Sequence, residues 1–318
     1  MTQYTHFLGI DVGKFNFVVS LYGTKTPQEY ENSSQGFSSF LQDYKDSLDN
    51  ALCVLENTGG YEQDLLYRFY SAHIPCHRVD GRKAKNFIRS LGTKAKTDGL
   101  DAQSLARYAF ERADQLTLFH PPSQTHLDLF QLSQRRQELT QMKAAEKNRL
   151  QSPTTTLIRQ SILSLIDFLQ QEIKTVTQKI QTLIEGDPLL KEKQDILKTI
   201  PGIGELTASQ LVVLLPELGT LSRRKIASLA GLAPIANDSG AKKGYRKTGF
   251  GRKGIKSILF MRAMAARNSK NSTLKAFYEK LIQKGKPKMV ALIALERKII
   301  VIANAKIKSL TNHPKKHG

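Results

Sequence analysis

Acidic residues are scarce in this chain: 28 Asp and Glu stand against 48 Lys and Arg in 318 residues, a formal charge of +20. An imbalance of that size points to a polyanionic partner and is wrong for a metabolite kinase. Composition alone still leaves a ribosome-associated protein open. Cysteine is almost missing. Cys53 and Cys76 exclude a disulfide framework or a cysteine-built zinc site and suit a reducing compartment. A long apolar run is missing too, because the longest stretch, 290–307, is broken by Glu296, Arg297 and Lys298. No segment is expected to span a membrane. The start, MTQYTHFLGIDVG, lacks a charged segment followed by an apolar core, so no signal peptide is read and a cytoplasmic protein is expected.

What is present is ordinary for a folded chain: 40% hydrophobic residues and room for two or three domains. Residues 6–22 read as two β-branched and aromatic runs turning at Gly13-Lys14, a hairpin. ALCVLE, 51–56, reads as a short buried strand; 61–72 has helical spacing, 74–79 is a strand, and 98–112 a helix. Strands alternating with helices predict an α/β domain. His120-Pro121-Pro122 marks a boundary, and 124–150 reads as a polar amphipathic helix. The next helix carries heptads: Ile162, Leu169, Val176 and Leu183, with Ile166, Ile173 and Ile180 offset by four. That pattern predicts a two-stranded coil for oligomerisation. The other reading is a helical hairpin with 124–150 inside one chain.

Against this basic background four carboxylates stand out. Asp11 closes the first strand, Glu56 ends the strand expected beside it, and Asp98 and Asp101 share one face of a helix. Three elements can thus deliver four carboxylates to one point. Magnesium prefers hard oxygen ligands and completes its shell with phosphate oxygens. Two such ions clamp both oxygens of an in-line phosphoryl displacement. Singly, each residue has a plainer role, since Asp11 suits a turn and Thr97-Asp98 a helix N-terminus. GIDVGK also suits the phosphate loop of an actin-like sugar kinase, but no strand-rich second domain follows.

Two C-terminal stretches complete the pattern. In TIPGIGELT, Gly202 and Gly204 suit a helix-hairpin-helix turn whose amides approach a phosphate, or simply a tight turn between helices. Further on, Ser239 precedes a flexible run holding Lys242, Lys243, Arg246, Lys247, Arg252, Lys253 and Lys256. Either Ser239 attacks a phosphodiester whose charge the cations stabilise, or it fills a turn while the cations bind phosphate. Tyr245 is a rival nucleophile, but no His lies between His126 and His313 to support tyrosine-recombinase chemistry.

GIDVGK, ENTGGY, KTDGLDAQSLA, IPGIG and APIANDSGAKKG, in this order, closely resemble the motifs of transposases of the insertion-sequence one-ten family, which includes the Piv-type DNA invertases. The resemblance covers about residues 5–112 and 195–285. It implies an α/β plus α architecture: a ribonuclease H/RuvC-like domain over 1–118, a coiled coil over 119–190, a mainly helical transposase domain over 191–310 and a disordered basic tail, 311–318. It implies that Asp11, Glu56, Asp98 and Asp101 bind Mg²⁺ and that Ser239 is the nucleophile. It further implies a structured guide RNA bridging donor and target DNA, and a homo-oligomer, dimer or tetramer. The expected function is RNA-guided DNA recombination through a covalent phosphoserine link. A metal-dependent junction nuclease acting through water, or a nucleic-acid-binding scaffold, are the alternatives.

Overall fold

The structure, a computed structural model, describes residues 4–92, 97–153, 155–240, 244–252, 254–269 and 273–312. The chain divides into two compact units, Met1–Pro122 and Ser123–Gly318.

The first unit runs β1 (His6–Val12), β2 (Asn16–Leu21), β3 (Gln28–Glu31), α1 (Ser34–Asp43), α2 (Lys45–Leu48), β4 (Ala51–Glu56), α3 (Gln63–Ser71), β5 (Cys76–Val79), α4 (Gly81–Ser90) and α5 (Asp98–Arg112). The expected hairpin forms, with the Gly13 N–H donating to the Asn16 carbonyl across its turn. Not anticipated were β3 and α1. The sheet order is β3-β2-β1-β4-β5, antiparallel through β1–β3 and parallel from β1 to β4 and β5. A central β1 with β4 beside it is consistent with a ribonuclease H-like sheet.

Successive side chains on a strand point to opposite faces, and both faces here are covered. Leu8, Ile10 and Leu55 pack with Phe37, Phe40, Leu65 and Phe69 on one side. Phe7, Leu52 and Val54 pack with Ala84, Leu105 and Ala109 on the other. Gly9 lies on the second face, directly beneath α5. A Cβ there would stand 2.1 Å from the Ala102 carbonyl oxygen and from the Ala106 nitrogen. The missing side chain therefore lets helix backbone rest on strand backbone. Cys53 and Cys76 face each other across β4 and β5 as free thiols. Burial, and for Cys76 its neighbour Cys53, pushes both well above the ordinary thiol range, so neither is a nucleophile.

The second unit is helical: α6 (Gln124–Arg149), α7 (Thr156–Glu185), α8 (Pro188–Lys198), α9 (Glu205–Leu214), α10 (Arg223–Leu229), α11 (Ile255–Asn268), α12 (Thr273–Gln283) and α13 (Lys288–Asn312). Two-residue strands β6 (Pro234–Ile235) and β7 (Lys247–Thr248) pair between α10 and α11. The heptad seam of α7 is filled from within the chain. Leu169, Val176 and Ile180 pack with Leu129 and Leu139 of α6 and Val213 of α9. The Arg136 Nε donates to Thr177 Oγ1 across the same pair. Within this chain, the seam thus has the partner that the helical-hairpin reading expects. The short connection between α6 and α7 holds the intramolecular partner at high effective concentration. Asp187 caps α8 ahead of Pro188, just after the end of α7. Of the tail expected to be disordered, 313–318 lies outside the described residues, and α13 runs to Asn312. Among the described residues no helix is long and apolar enough to cross a membrane.

Glu296 of α13 is wholly buried in the core of this unit, and neither carboxyl oxygen has a hydrogen-bond partner among the described residues. Burial pushes its pKa up to about 7, against the opposing pull of Lys256. An unsatisfied buried acid is tolerated in its neutral form.

Gly9→Ala tests the contact between α5 and β1. Overpacking against two backbone atoms is expected to cost on the order of 3 kcal/mol and to displace α5. Chemical denaturation of the full chain, followed by aromatic fluorescence, measures the loss. An unchanged midpoint would contradict the close approach.

Candidate active site and nucleic-acid contacts

The register of β1 on β4 ends at the pair Ile10–Leu55, so Asp11 and Glu56 stand side by side one step further along two parallel neighbours. By alternation both fall on the α5 face with Phe7, Gly9, Leu52 and Val54. Thr97 caps α5, accepting a hydrogen bond from the Leu100 N–H, and places Asp98 and Asp101 in the first turn. The positive end of the helix dipole favours carboxylates there. Asp98 and Asp101 are one turn from Ala102 and Leu105, which seat the helix on the sheet. The structure therefore brings all four residues to the same end of one face. Asp11, Glu56 and Asp101 are half-buried and Asp98 is exposed.

The carboxylate of Glu56 reaches the first residue of α4. A Cβ on Gly81 would stand 2.7 Å from Glu56 Oε1. Behind Glu56, the loop 57–62 is fastened by a buried carboxylate that the sequence analysis missed. Glu62 is 0% exposed and accepts from the Thr58 N–H and hydroxyl and the Gly60 N–H. Arg78 of β5 donates to Glu62 and, at 2.9 Å, to Asn57. Burial pushes the Glu62 carboxyl up, but the Thr58 bond, the backbone bonds and Arg78 together hold it below its ordinary value. It is a fixed anion that sets the backbone following Glu56. A Glu in a polar loop gives no sequence signal for this; only the fold buries it.

Among the described residues no three His, Cys, Asp or Glu side chains form a ready metal cluster. Magnesium, however, usually retains several waters and is held by one or two carboxylates together with substrate phosphates. A donor set of carboxylates alone, gathered at one end of a sheet, fits such an ion by its chemistry.

In the second unit Ser239 is exposed beside Asp238, which is clamped by Arg246 through two hydrogen bonds of 2.8 and 2.7 Å. Asp238 also accepts from the Gly244 N–H. The segment carrying Ser239 is thus held to the returning strand. The ion pair is not neutral for the expected contacts: Arg246 is already engaged. Arg252 is engaged too, making a two-pronged pair with Glu217 and donating to the Leu214 carbonyl. Lys247 and Tyr245 are exposed, while Lys242, Lys243 and Lys253 lie outside the described residues. Gly202 adopts φ +88°, and a Cβ there would press on the Arg262 carbonyl oxygen at 2.9 Å. Its role in the fold is close packing of the turn on α11. Gly204 has open space around it and caps α9 without a side chain, leaving that helix terminus accessible.

Comparison with known proteins bears on both units. A transposase model of the DEDD, IS110 type matches residues 8–157. A second, described as transposase of the IS116/IS110/IS902 family, matches residues 194–279. The chain belongs to the IS110 family of transposases. Among its relatives are the pilin gene-inverting proteins of Moraxella lacunata and Moraxella bovis, each 29% identical over 310 residues and 95% of both chains. A 43.6 kDa protein of insertion element IS110 from Streptomyces coelicolor is 27% identical over 161 residues, 50% of this chain and 38% of its own length. This IS110-family chain is accordingly a DNA transposase or recombinase.

Gly81→Ala separates site from scaffold. Alanine raises helix propensity by about 1 kcal/mol, and the group it displaces is the tip of a flexible Glu56 side chain. Thermal stability is expected to hold or rise while strand exchange falls at least tenfold. Wild-type exchange by this variant would show that the position of Glu56 is immaterial.

Proposed function

We propose that this transposase exchanges DNA strands through a phosphoserine link at Ser239, directed by a guide RNA and dependent on Mg²⁺ held at Asp11, Glu56, Asp98 and Asp101. The observation that carries the reading is the gathering of those four carboxylates at one end of the α5 face. Carboxylates so placed in a +20 protein suit a cation that joins them to phosphate. Bound there, the metal supplies Lewis-acid stabilisation of the phosphoryl oxygens. The side chains of β1 and β4 orient the ligand oxygens, and the Glu62–Arg78 network keeps the loop after Glu56 in place.

Ser239 Oγ attacks phosphorus, an O–P bond forms, and the bond to one strand breaks. The proton lost by Oγ ends on the released hydroxyl. One phosphodiester replaces another, so rejoining needs no high-energy cofactor. The Asp238–Arg246 clamp presents the serine. Lys242, Lys243, Lys247 and Lys253, with the open turn at Gly204, hold backbone phosphates in this reading, and Arg246 and Arg252 chiefly hold protein. The pilin gene-inverting relatives make inversion of a DNA segment one natural outcome of the same exchange. A cytoplasmic, oligomeric assembly on DNA and RNA completes the proposal. Because α6 covers the heptad seam, self-association falls to the adjacent stripe of α7, where Leu157, Ile158, Leu165 and Phe168 are 80, 54, 42 and 57% exposed.

Ser239→Ala removes one exposed oxygen, so folding and DNA binding are expected to persist while exchange and the covalent adduct disappear. Reactions stopped with denaturant and mapped by mass spectrometry should place wild-type DNA on Ser239. An adduct on Tyr245, or metal-dependent cutting with no adduct, would replace this mechanism with another.

A further inference from the structure

Helices α10, α12 and α13 enclose a cleft of about 460 Å³ that none of the motifs reaches. Arg223 and Arg224 line it from α10, and Arg297 and Lys298 from α13, over a floor of Phe277 and Val301. The three helices contain two acids, and neither neutralises the cleft. Glu279 sits 3.8 Å from Lys275, and Glu296 is buried in the core beside Lys256. Among the described residues none of the four cations belongs to an ion pair. The Lys298 ammonium lies 4.4 Å from the centre of the Phe277 ring, which fixes the stem and leaves the charge at the cleft.

Local energetics oppose this arrangement. Arg223, Arg224 and Lys225 occupy the first turn of α10, at the positive end of its dipole, where cations are unfavourable by roughly 0.3–1 kcal/mol each. Like charges facing one another across a cleft repel further. Stabilisation of the fold does not account for four unpaired cations there; an anion with several regularly spaced charges does.

We propose that this cleft is a second DNA-contact surface, separate from the Ser239 segment, that grips the sugar–phosphate backbone of duplex DNA. The proposal rests on the reading of the chain as a DNA recombinase. Fork-shaped guanidiniums take phosphate oxygens in pairs, and the Phe277–Val301 floor lies against sugar. Contacts of this kind carry no base sequence information, so the surface positions DNA and adds affinity without specificity.

The test uses full-length protein and a non-specific duplex, with affinity measured across a series of salt concentrations. Each phosphate contact contributes about 0.9 to the slope of log affinity on log salt. The variant R223Q/R224Q/R297Q/K298Q should show a slope shallower by about 3 to 4, with a melting temperature equal to or above that of the unmodified protein. R223Q/R224Q alters exposed side chains of α10 only and should show about half that change, which keeps the test decisive if the fourfold variant misfolds. An unchanged slope in R223Q/R224Q would overturn the cleft. Weakened binding of structured RNA with unaltered duplex binding would overturn it also. Failure of the unmodified protein to bind duplex DNA would instead defeat the recombinase reading on which the proposal rests.

Discussion

The contact on which the first unit depends is the seating of α5 on Gly9. Helix and strand backbones meet there without intervening side chains, at a separation that even a methyl group would violate. Because α5 lies that low, its first turn arrives beside the C-terminal ends of β1 and β4. Asp98 and Asp101 thereby fall at the same end of this face as Asp11 and Glu56. Gly81 does the same on a smaller scale, leaving room for the Glu56 carboxylate at the start of α4. Two absent side chains shape the acidic end of the sheet.

Electrostatics divide the work between the units. The first sets four of its carboxylates at one end of a sheet and fastens the adjoining loop with a buried, ionised Glu62. The second is dominated by Lys and Arg, but not all of them are available to a ligand. Arg246 holds Asp238, and Arg252 holds Glu217, so these two maintain the shape of the segment bearing Ser239. Four cations outside any ion pair lie elsewhere, in the cleft of α10, α12 and α13. Counting basic residues would have credited both groups equally; partners distinguish them.

Much of this was legible in the sequence. The hairpin, the strand ending on Glu56 and the helix beginning at Asp98 follow from periodicity and capping, which are local signals. The placement of Asp11 and Glu56 on one face follows from strand alternation once the strands are known to be neighbours. The heptads of α7 were read correctly as an apolar seam, but periodicity does not say which helix fills it, and a helix from the same chain wins on proximity. Short, exposed β3 and the β6–β7 pair carry too few residues for a pattern. The pairing of Glu62 with Arg78, of Gly81 with Glu56 and of Asp238 with Arg246 joins different elements or turns, and no spacing rule reaches it.

Binding of Mn²⁺ in place of Mg²⁺ tests the central claim without requiring turnover. Free Mn²⁺ is read from its paramagnetic resonance spectrum as the full-length protein is titrated. Saturable binding is predicted for the unmodified chain, with at least a tenfold loss of affinity in Asp11→Asn and in Asp101→Asn at unchanged thermal stability. Equal Mn²⁺ binding by all three proteins would contradict the account, because the gathered carboxylates would then not be what holds the metal.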